Sequence, residues 1–478
     1  MQQNASPATM IAMPIQDGLP TPARYLAVAV VILGITMSVL DGTIVNLALP
    51  GIARDLQASA AHSVWVINAY QIATLALLLP AATLGDLVGY RRVYLSGMTL
   101  FTLASLGCTL AVSLPMLAAA RAIQGLGAAG IMSVNSALVG LIYPRRLLGR
   151  GIAINSMVVA GAAVAGPSVA AGILSVASWP WLFAVNLPLG VVVLWLGLQA
   201  LPRNATVHPV GVGLSWLDVL LNALMFSLVF LGADALCTRS GTSAPLSESV
   251  WSLAMLAGGV ALGVVYMRRQ LRQPIPLFPV DLLRIPVFAL SMCTSVAAFA
   301  AQTLAYIALP FLLLDAYGLT TLRAGLLITA WPLAIVVVAP LAGHLIGRYP
   351  DGLLGGIGLG TMALGLGLLA ALPMRPSAAD IVGCLVLCGI GFGLFQSPNN
   401  HTIVTSAPKH RWGGASGMLG TARLTGQTLG AVLLALIFSV SNAHDGRGPL
   451  IALALAAGFA ALAGAASSLR LRHPSAAE

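Results

Sequence analysis

Lysine occurs once in this 478-residue chain, at Lys409, and charged residues of all kinds make up only 8% of it. An ordinary soluble domain carries about a quarter charged residues, so this chain cannot cover itself with a polar surface and must sit in a bilayer. The single lysine also excludes a phosphate-cradling G-x-x-x-x-G-K-[ST] loop, because the residue after Lys409 is His410. ATP-driven pumping by the chain itself is thereby ruled out. Cysteine is sparse: Cys108, Cys237, Cys293, Cys384 and Cys388 are odd in number, and four of them lie in apolar runs, so no disulfide framework is expected. Cys384 and Cys388 share a helix face without a histidine or carboxylate beside them, which reads as core packing rather than metal binding. The seven histidines lie almost wholly in loops and tails. Neither a metal, a cofactor nor a nucleophile–base pair is therefore expected, which speaks against an enzyme.

What the chain has in abundance is apolar sequence, at 58% of residues. A membrane-crossing helix needs about 20 mainly apolar residues. Fourteen such runs are present: Tyr25–Ala48, Val64–Leu84, Val93–Val112, Met116–Ile142, Gly151–Val176, Trp181–Leu201, Leu217–Leu236, Val250–Met267, Val287–Leu314, Ala324–Gly343, Leu353–Leu372, Ile381–Val404, Gly414–Val440 and Leu450–Leu469. They are too long for barrel strands and lack alternation at period two. The expected fold is an all-α polytopic membrane protein.

The formal net charge of +10 is not a nucleic-acid signature, because the bases punctuate apolar runs rather than cluster on a domain. Sixteen of them, from Arg24 to Arg472, fall on the side shared with the N-terminus. Five fall opposite, at Arg54, Arg239, Arg323, Arg375 and Arg447. The positive-inside rule then places both termini in the cytoplasm, as an even number of spans requires. No apolar core with a small-residue cleavage site precedes the first run, so no cleaved signal peptide is expected. The longest inside connections bracket runs seven and eight. The expected organisation is a tail over 1–24, a six-helix bundle over 25–201, two linking helices over 202–286, a second six-helix bundle over 287–469 and a tail over 470–478. Pro80–Arg91 (PAATLGDLVGYR) is faintly echoed by Pro340–Arg348 (PLAGHLIGR), as an internal duplication would leave. His344 falls where the echo would carry the counterpart of Asp86.

Three charges lie deep inside the apolar runs, Asp41, Arg121 and Arg423, whereas Asp234 lies near the outer end of the seventh run. A charge in hydrocarbon costs at least about 2.5–3.5 kcal/mol, so such residues face a watery cavity or a partner. Asp41, in LDGTIVNLALP, either handles a proton or cation or anchors a neighbouring helix. Arg121, in LAAARAIQGLGAA, either pairs with a cavity acid or water chain or clamps backbone carbonyls, with Gln124 and Gly125 on or beside its face. Arg423 shares a face with Gln427 and Gly430 and needs a partner or water. In the loop GDLVGYRR, Gly85 and Gly89 permit a tight turn. Asp86 is expected near the start of the next helix, with Arg91 and Arg92 available to latch it. Ala162, Gly166 and Ala170 form a small-residue groove kinked by Pro167. Gln396 and Asn400, with Phe392, Phe395 and Asn399 alongside, suit a ligand cavity to which Gln124 could contribute. Phe299, Tyr306, Phe311 and Trp331 are further candidate walls. Asp315 reads as an entrance charge or plain loop.

Together these residues resemble the Major Facilitator Superfamily, and within it the fourteen-span drug/proton antiporter branch. LDGTIVNLALP is similar to that branch's first-span motif and Arg121–Ala129 to its fourth-span motif. In the loop motif Asp86, Gly89, Arg91 and Arg92 match, with Ala82 replacing a glycine and Leu87 a base. The antiporter motif keeps Gly166 and Pro167, with alanines at 162, 170 and 171 where glycines are usual. LFQSPNNHTI and GGASGMLGTARL look most like exporters of methyl viologen and quaternary ammonium biocides. The resemblance, running from Tyr25 to Leu469, implies two bundles rocking about a central cavity in a bacterial inner membrane. It implies proton-coupled export of lipophilic cations by a monomer, with Asp41, Arg121 and Arg423 in coupling. Whether an outer-membrane partner is used stays open, and export of one endogenous metabolite on the same fold is the alternative.

Overall fold

A computed structural model describes residues 18–144, 147–202, 215–239, 246–273, 277–373, 376–408, 412–441 and 446–470. Most of both tails, together with Arg145, Arg146, Arg203, Pro274, Pro276, Arg375, Lys409, Arg411 and Arg472, lies outside the described residues. The long helices are α1 (Ala23–Ile44), α2 (Trp65–Val88), α3 (Tyr90–Thr109), α4 (Leu114–Ile142), α5 (Leu148–Val176), α6 (Asn186–Ala200), α7 (Trp216–Arg239), α8 (Leu246–Gln270), α9 (Pro286–Pro310), α10 (Thr321–Leu345), α11 (Asp351–Ala370), α12 (Ala378–Thr405), α13 (Trp412–Val440) and α14 (Arg447–Leu469). In hydrocarbon only structures that satisfy every backbone group internally are stable, and these apolar stretches comply as helices.

Among the described residues, twelve helical segments are long and apolar enough to cross a membrane, against the fourteen runs expected. The two that differ are α3 and α5. Helix α3 opens with Arg91 and Arg92 and carries hydroxyls at Ser96, Thr99, Thr102, Ser105 and Thr109, which dilute its apolar character. In α5 several side chains lie outside the described residues, and the apolar stretch that is described, Ala165–Val176, is shorter than a full span. Other bounds also move. The first run continues past Ala48 through a 3₁₀ turn, Val45–Ala48, into a short helix ending at Asp55, with Pro50 near its start, where a missing N–H is harmless. The sixth run is broken into Trp181–Ala184 and α6. The ninth is prolonged by a π-turn, Phe311–Ala316, that places Asp315 in helical backbone.

Helix ends follow their residues. Ser113 and Thr320 cap α4 and α10 by accepting from Met116 N at 3.4 Å and Arg323 N at 3.4 Å. Ser377 and Asp380 form a reciprocal capping box on α12. Gly89, at φ 104°, turns the chain between α2 and α3, where a side chain would be strained. Gly347, at φ 81°, does the same after α10, a structural counterpart of the faint sequence echo.

Helices α2, α3 and α4 pack as one group, and α11, α12 and α14 as another, while α7 and α8 form a hairpin beside them. Asn222 of α7 donates to Ala76 O of α2 at 2.8 Å. Close helix approach is made by small residues. A Cβ at Gly127 would stand 2.5 Å from Phe101 N, and one at Gly391 2.4 Å from Gly358 O. Contacts between the earlier and later parts of the chain include three that bear on the site. Ser168 and Thr329 hydroxyls meet at 2.7 Å. Gly325 lies against Ala171 and Pro167 O. Arg54 bonds Asp315 at 3.2 Å, so Asp315 is an ion-pair partner rather than plain loop.

Candidate functional site

Asp41 lies on α1, one turn before that helix gives way to the 3₁₀ turn, and is 2% exposed. It is thus buried against partners rather than facing an open watery cavity. Helix α4 brings Arg121 and Gln124 to it, three residues apart on one face. This is possible because Gly125 lets α4 press on α2, where a Cβ would come 2.3 Å from Tyr70 O. Arg121 Nη1 forms an ion pair with Asp41 Oδ2. The same nitrogen donates to Gln124 Oε1 at 2.6 Å, and Nε donates to Val66 O at 3.0 Å. Gln124 Nε2 donates to Asp41 Oδ1 at 2.9 Å and to Ser105 Oγ at 2.9 Å. Asn186, at the start of α6, donates to Asp41 Oδ1 at 2.8 Å.

The guanidinium is enclosed by rings, with its carbon 4.2 Å from the Tyr70 centroid and 5.6 Å from that of Phe183. Cation–π contacts of this kind strengthen as water is removed. Tyr70 is fixed in turn by donating to Ser38 O at 3.1 Å. Helices α4 and α6 therefore bring three side-chain donors to one carboxylate of α1. A buried ion pair is tolerable only when further hydrogen bonds support it, and here Gln124, Asn186 and Val66 O supply them. Asn186, Ser105, Tyr70 and Phe183 escaped the sequence reading. The one available signal was a lone amide at Asn186 inside an apolar run.

Arg423 is placed differently. It lies on α13, half-buried, with its Nε buried and without a hydrogen-bond partner. Gly166 is buried against α1, where a Cβ would meet Thr43 Oγ1 at 2.1 Å. Pro167 lines a pocket with Thr43, Asn46, Leu47, Tyr306, Pro310 and Ile328. This pocket draws on α1 and the 3₁₀ turn after it, α5, α9 and α10, and differs from the cavity set expected from sequence.

That expected set divides. Gln124 belongs to the Asp41 network. Asn399 is 1% exposed and held by a second network, donating to Ser295 Oγ at 2.7 Å and accepting from Arg470 Nη1 at 2.8 Å. Arg470, expected in a tail, is 6% exposed and also bonds Ser291 at 2.9 Å and Ser467 at 2.6 Å. Burial draws its guanidinium down to about 10, opposed by the Asp351 charge. Phe392 and Phe395 are buried and stack edge-on, at 5.3 Å with Phe299 and 5.9 Å with each other. Phe311 packs on Phe438, so of the candidate walls Tyr306, tilted against Trp331 at 4.8 Å, lines the pocket. Gln396 and Asn400 are half-buried.

The loop motif also rearranges. Asp86 sits in the last turn of α2 rather than at the start of the next helix, because α2 continues to Val88 and breaks only at Gly89. Its carboxylate accepts from Tyr90 OH at 2.5 Å. Gly89 N donates to Gly85 O at 3.0 Å. Arg91 bonds Leu198 O and Arg92 bonds Val88 O at 3.4 Å, so both arginines turn to carbonyls rather than to Asp86. His344 Nδ1 lies 2.8 Å from Pro340 O, within its own helix. Among the described residues no cluster of His, Cys, Asp and Glu could hold a metal.

A family model described as Major Facilitator Superfamily matches residues 31–431, with a second match over 290–478. The chain is 51% identical over 458 residues to the uncharacterized transporter YebQ of Escherichia coli (strain K12), covering 96% of this chain and 98% of that protein. It is 34% identical over 415 residues to the multidrug resistance protein Stp of Mycobacterium tuberculosis, covering 85% and 74% respectively. A crystal structure of the peptide transporter POT in complex with sulfate shares the fold, with a TM-score of 0.70 at 14% identity over 94% of this chain and 95% of that one.

Proposed function

The chain belongs to the Major Facilitator Superfamily, and is therefore a multi-pass membrane transporter rather than an enzyme; we propose that it is a proton-coupled exporter of amphipathic drug-like molecules. Lipophilic cations of the methyl viologen and quaternary ammonium kind are the class its motifs suggest. We place it in the bacterial inner membrane as a monomer with both termini cytoplasmic. In this reading α3 and α5 also span the bilayer, giving fourteen spans arranged as two six-helix bundles over 25–201 and 287–469, with the linking helices over 202–286. The similarity to a multidrug resistance protein supports export of drugs.

The observation that carries the proposal is the buried Asp41–Arg121 pair with Gln124 and Asn186. A proton arriving at Asp41 removes the negative charge that holds Arg121. The arginine, always charged, is then left in a low-dielectric site without its counter-ion. The protein relieves that cost by repacking α1 against α4, and α5 transmits the change because Gly166 touches Thr43 two residues beyond Asp41. The same carboxylate, freed from Arg121, is the group on which a cation could exchange with a proton. Gly85, Asp86, Gly89, Arg91 and Arg92 then act as the hinge of the cytoplasmic side.

The test is proton release from energised inside-out vesicles on adding methyl viologen or a quaternary ammonium. Release that disappears in Asp41→Asn is the expected result. Release that persists there would remove Asp41 from coupling, and none with any drug-like compound would point to a dedicated metabolite carrier.

A further inference from the structure

We propose that Arg423 is an anion-binding subsite for aromatic carboxylates, so that acidic or zwitterionic aromatic molecules are ligands of this transporter. This rests on the transporter reading above for how a ligand reaches the site, and adds a subsite for a ligand's anionic group beside the cation exchange placed at Asp41.

The charge balance of the interior motivates it. Asp41 and Arg121 neutralise each other and are both buried. Arg423 takes no part in the ion pairs Arg54–Asp315, Arg121–Asp41, Arg269–Asp218 and His401–Asp351. Arginine does not shed its proton to escape burial. Buried charges are ordinarily paired, yet the Nε of Arg423 is both buried and without a hydrogen-bond partner. Among the described residues Arg423 is thus a half-buried guanidinium with no acid in hydrogen-bond reach of it.

Packing shows which way that charge faces. One turn before Arg423, Gly420 meets Leu78 of α2, where a Cβ would stand at 3.0 Å. One turn after it, Gly426 lies on Val296 O and Phe299 of α9, with separations of 2.4 and 2.9 Å for the same probe atom. Arg423 projects between these two contacts, so its arc is directed to protein on both flanks rather than to lipid. The Arg423 charge is also felt at the Tyr70 hydroxyl, as is that of Arg121. An unpaired guanidinium offers a planar fork that fits a carboxylate bidentately. The rings of Tyr70 and Phe299 on neighbouring helices favour an aromatic body on that carboxylate.

The test uses two probes with one ring system and opposite charges, 2-naphthoate and (2-naphthyl)trimethylammonium, on the purified full chain by isothermal titration calorimetry. Wild-type protein is expected to bind 2-naphthoate, and Arg423→Gln to bind it at least ~10-fold more weakly, the loss typical of a charge-assisted hydrogen bond. Arg423→Lys should recover part of that affinity. The ammonium twin should bind Arg423→Gln as well as or better than wild type. Should Arg423→Gln not fold, the Lys variant and a rise in wild-type melting temperature with naphthoate alone serve in its place. Equal naphthoate affinity in wild type and Arg423→Gln overturns the inference, and so does a wild type that fails to bind naphthoate. Vesicle proton release separates the two readings. Naphthoate binding that needs Arg423, with no proton release on adding naphthoate, methyl viologen or a quaternary ammonium, leaves the subsite standing and removes the exporter. Naphthoate-driven release unchanged in Arg423→Gln does the reverse.

Discussion

Gly166 of α5 stands so close to Thr43 of α1 that a Cβ there would lie 2.1 Å from the threonine hydroxyl. Thr43 is two residues beyond Asp41, so this contact ties the kinked helix of Pro167 to the buried ion pair. Gly166→Ala should therefore force α1 and α5 apart and lower the melting temperature in detergent, overpacking costing about 1–3 kcal/mol. Thr43→Ala should restore part of the loss, because it removes the oxygen but leaves the Cβ, which would stand at 2.9 Å. Unchanged melting in the single variant would mean that the helices are not held at this distance.

The Asp41–Arg121 network predicts non-additive stability. Removing one partner of a buried pair strands the other and costs about 3–5 kcal/mol. Arg121→Ala should accordingly melt well below wild type, and Asp41→Asn/Arg121→Ala should recover much of the difference. A double-mutant cycle of thermal unfolding in detergent reads this coupling directly. Additive losses would argue that the two residues are not paired in solution.

Arg54 and Asp315 join segments 261 residues apart. The arginine side chain is 64% exposed, so the pair is screened, and its contribution should be no more than about 1 kcal/mol. Arg54→Ala is expected to reduce drug efflux by less than ~5-fold, since 1 kcal/mol is less than a factor of ten. Arg54→Asp should reduce it further by repulsion, and Arg54→Asp/Asp315→Arg should restore it. Efflux assays in cells expressing each variant check the order.

Gly89 and Gly347 turn the chain at φ 104° and 81° after α2 and α10. Substitution by valine at either position should cost about 1–3 kcal/mol of backbone strain. Gly140→Val, at a helical position with open space around it, is the control that should not lose stability. Membrane yield and thermal unfolding of the three variants settle whether the turns need glycine.

The membrane class, the helical content and three embedded charges were legible in the sequence because each follows from composition or from a local run. Hydrocarbon admits few charges, so Asp41, Arg121 and Arg423 stood out without any knowledge of their neighbours. Glycine at 89 and 166 was legible for the same reason, as a residue chosen where backbone or helices must come close.

Their partners were not legible, because partnership here depends on residues far apart in the chain. Asp41 and Arg121 are separated by 80 positions and Asp41 and Asn186 by 145. Only the convergence of α1, α3, α4 and α6 made one carboxylate the centre of a network. Tertiary packing likewise divided the expected cavity set, drawing Gln124 to Asp41 and Asn399 to Arg470. It sent Arg91 and Arg92 to carbonyls, while Asp86, in the last turn of α2, accepts from Tyr90 across the turn. The sequence alone determined which residues are too polar for lipid. The tertiary structure decided which of them neutralise one another, because Coulomb pairing in a low-dielectric interior depends on distances of a few ångströms that no local pattern encodes.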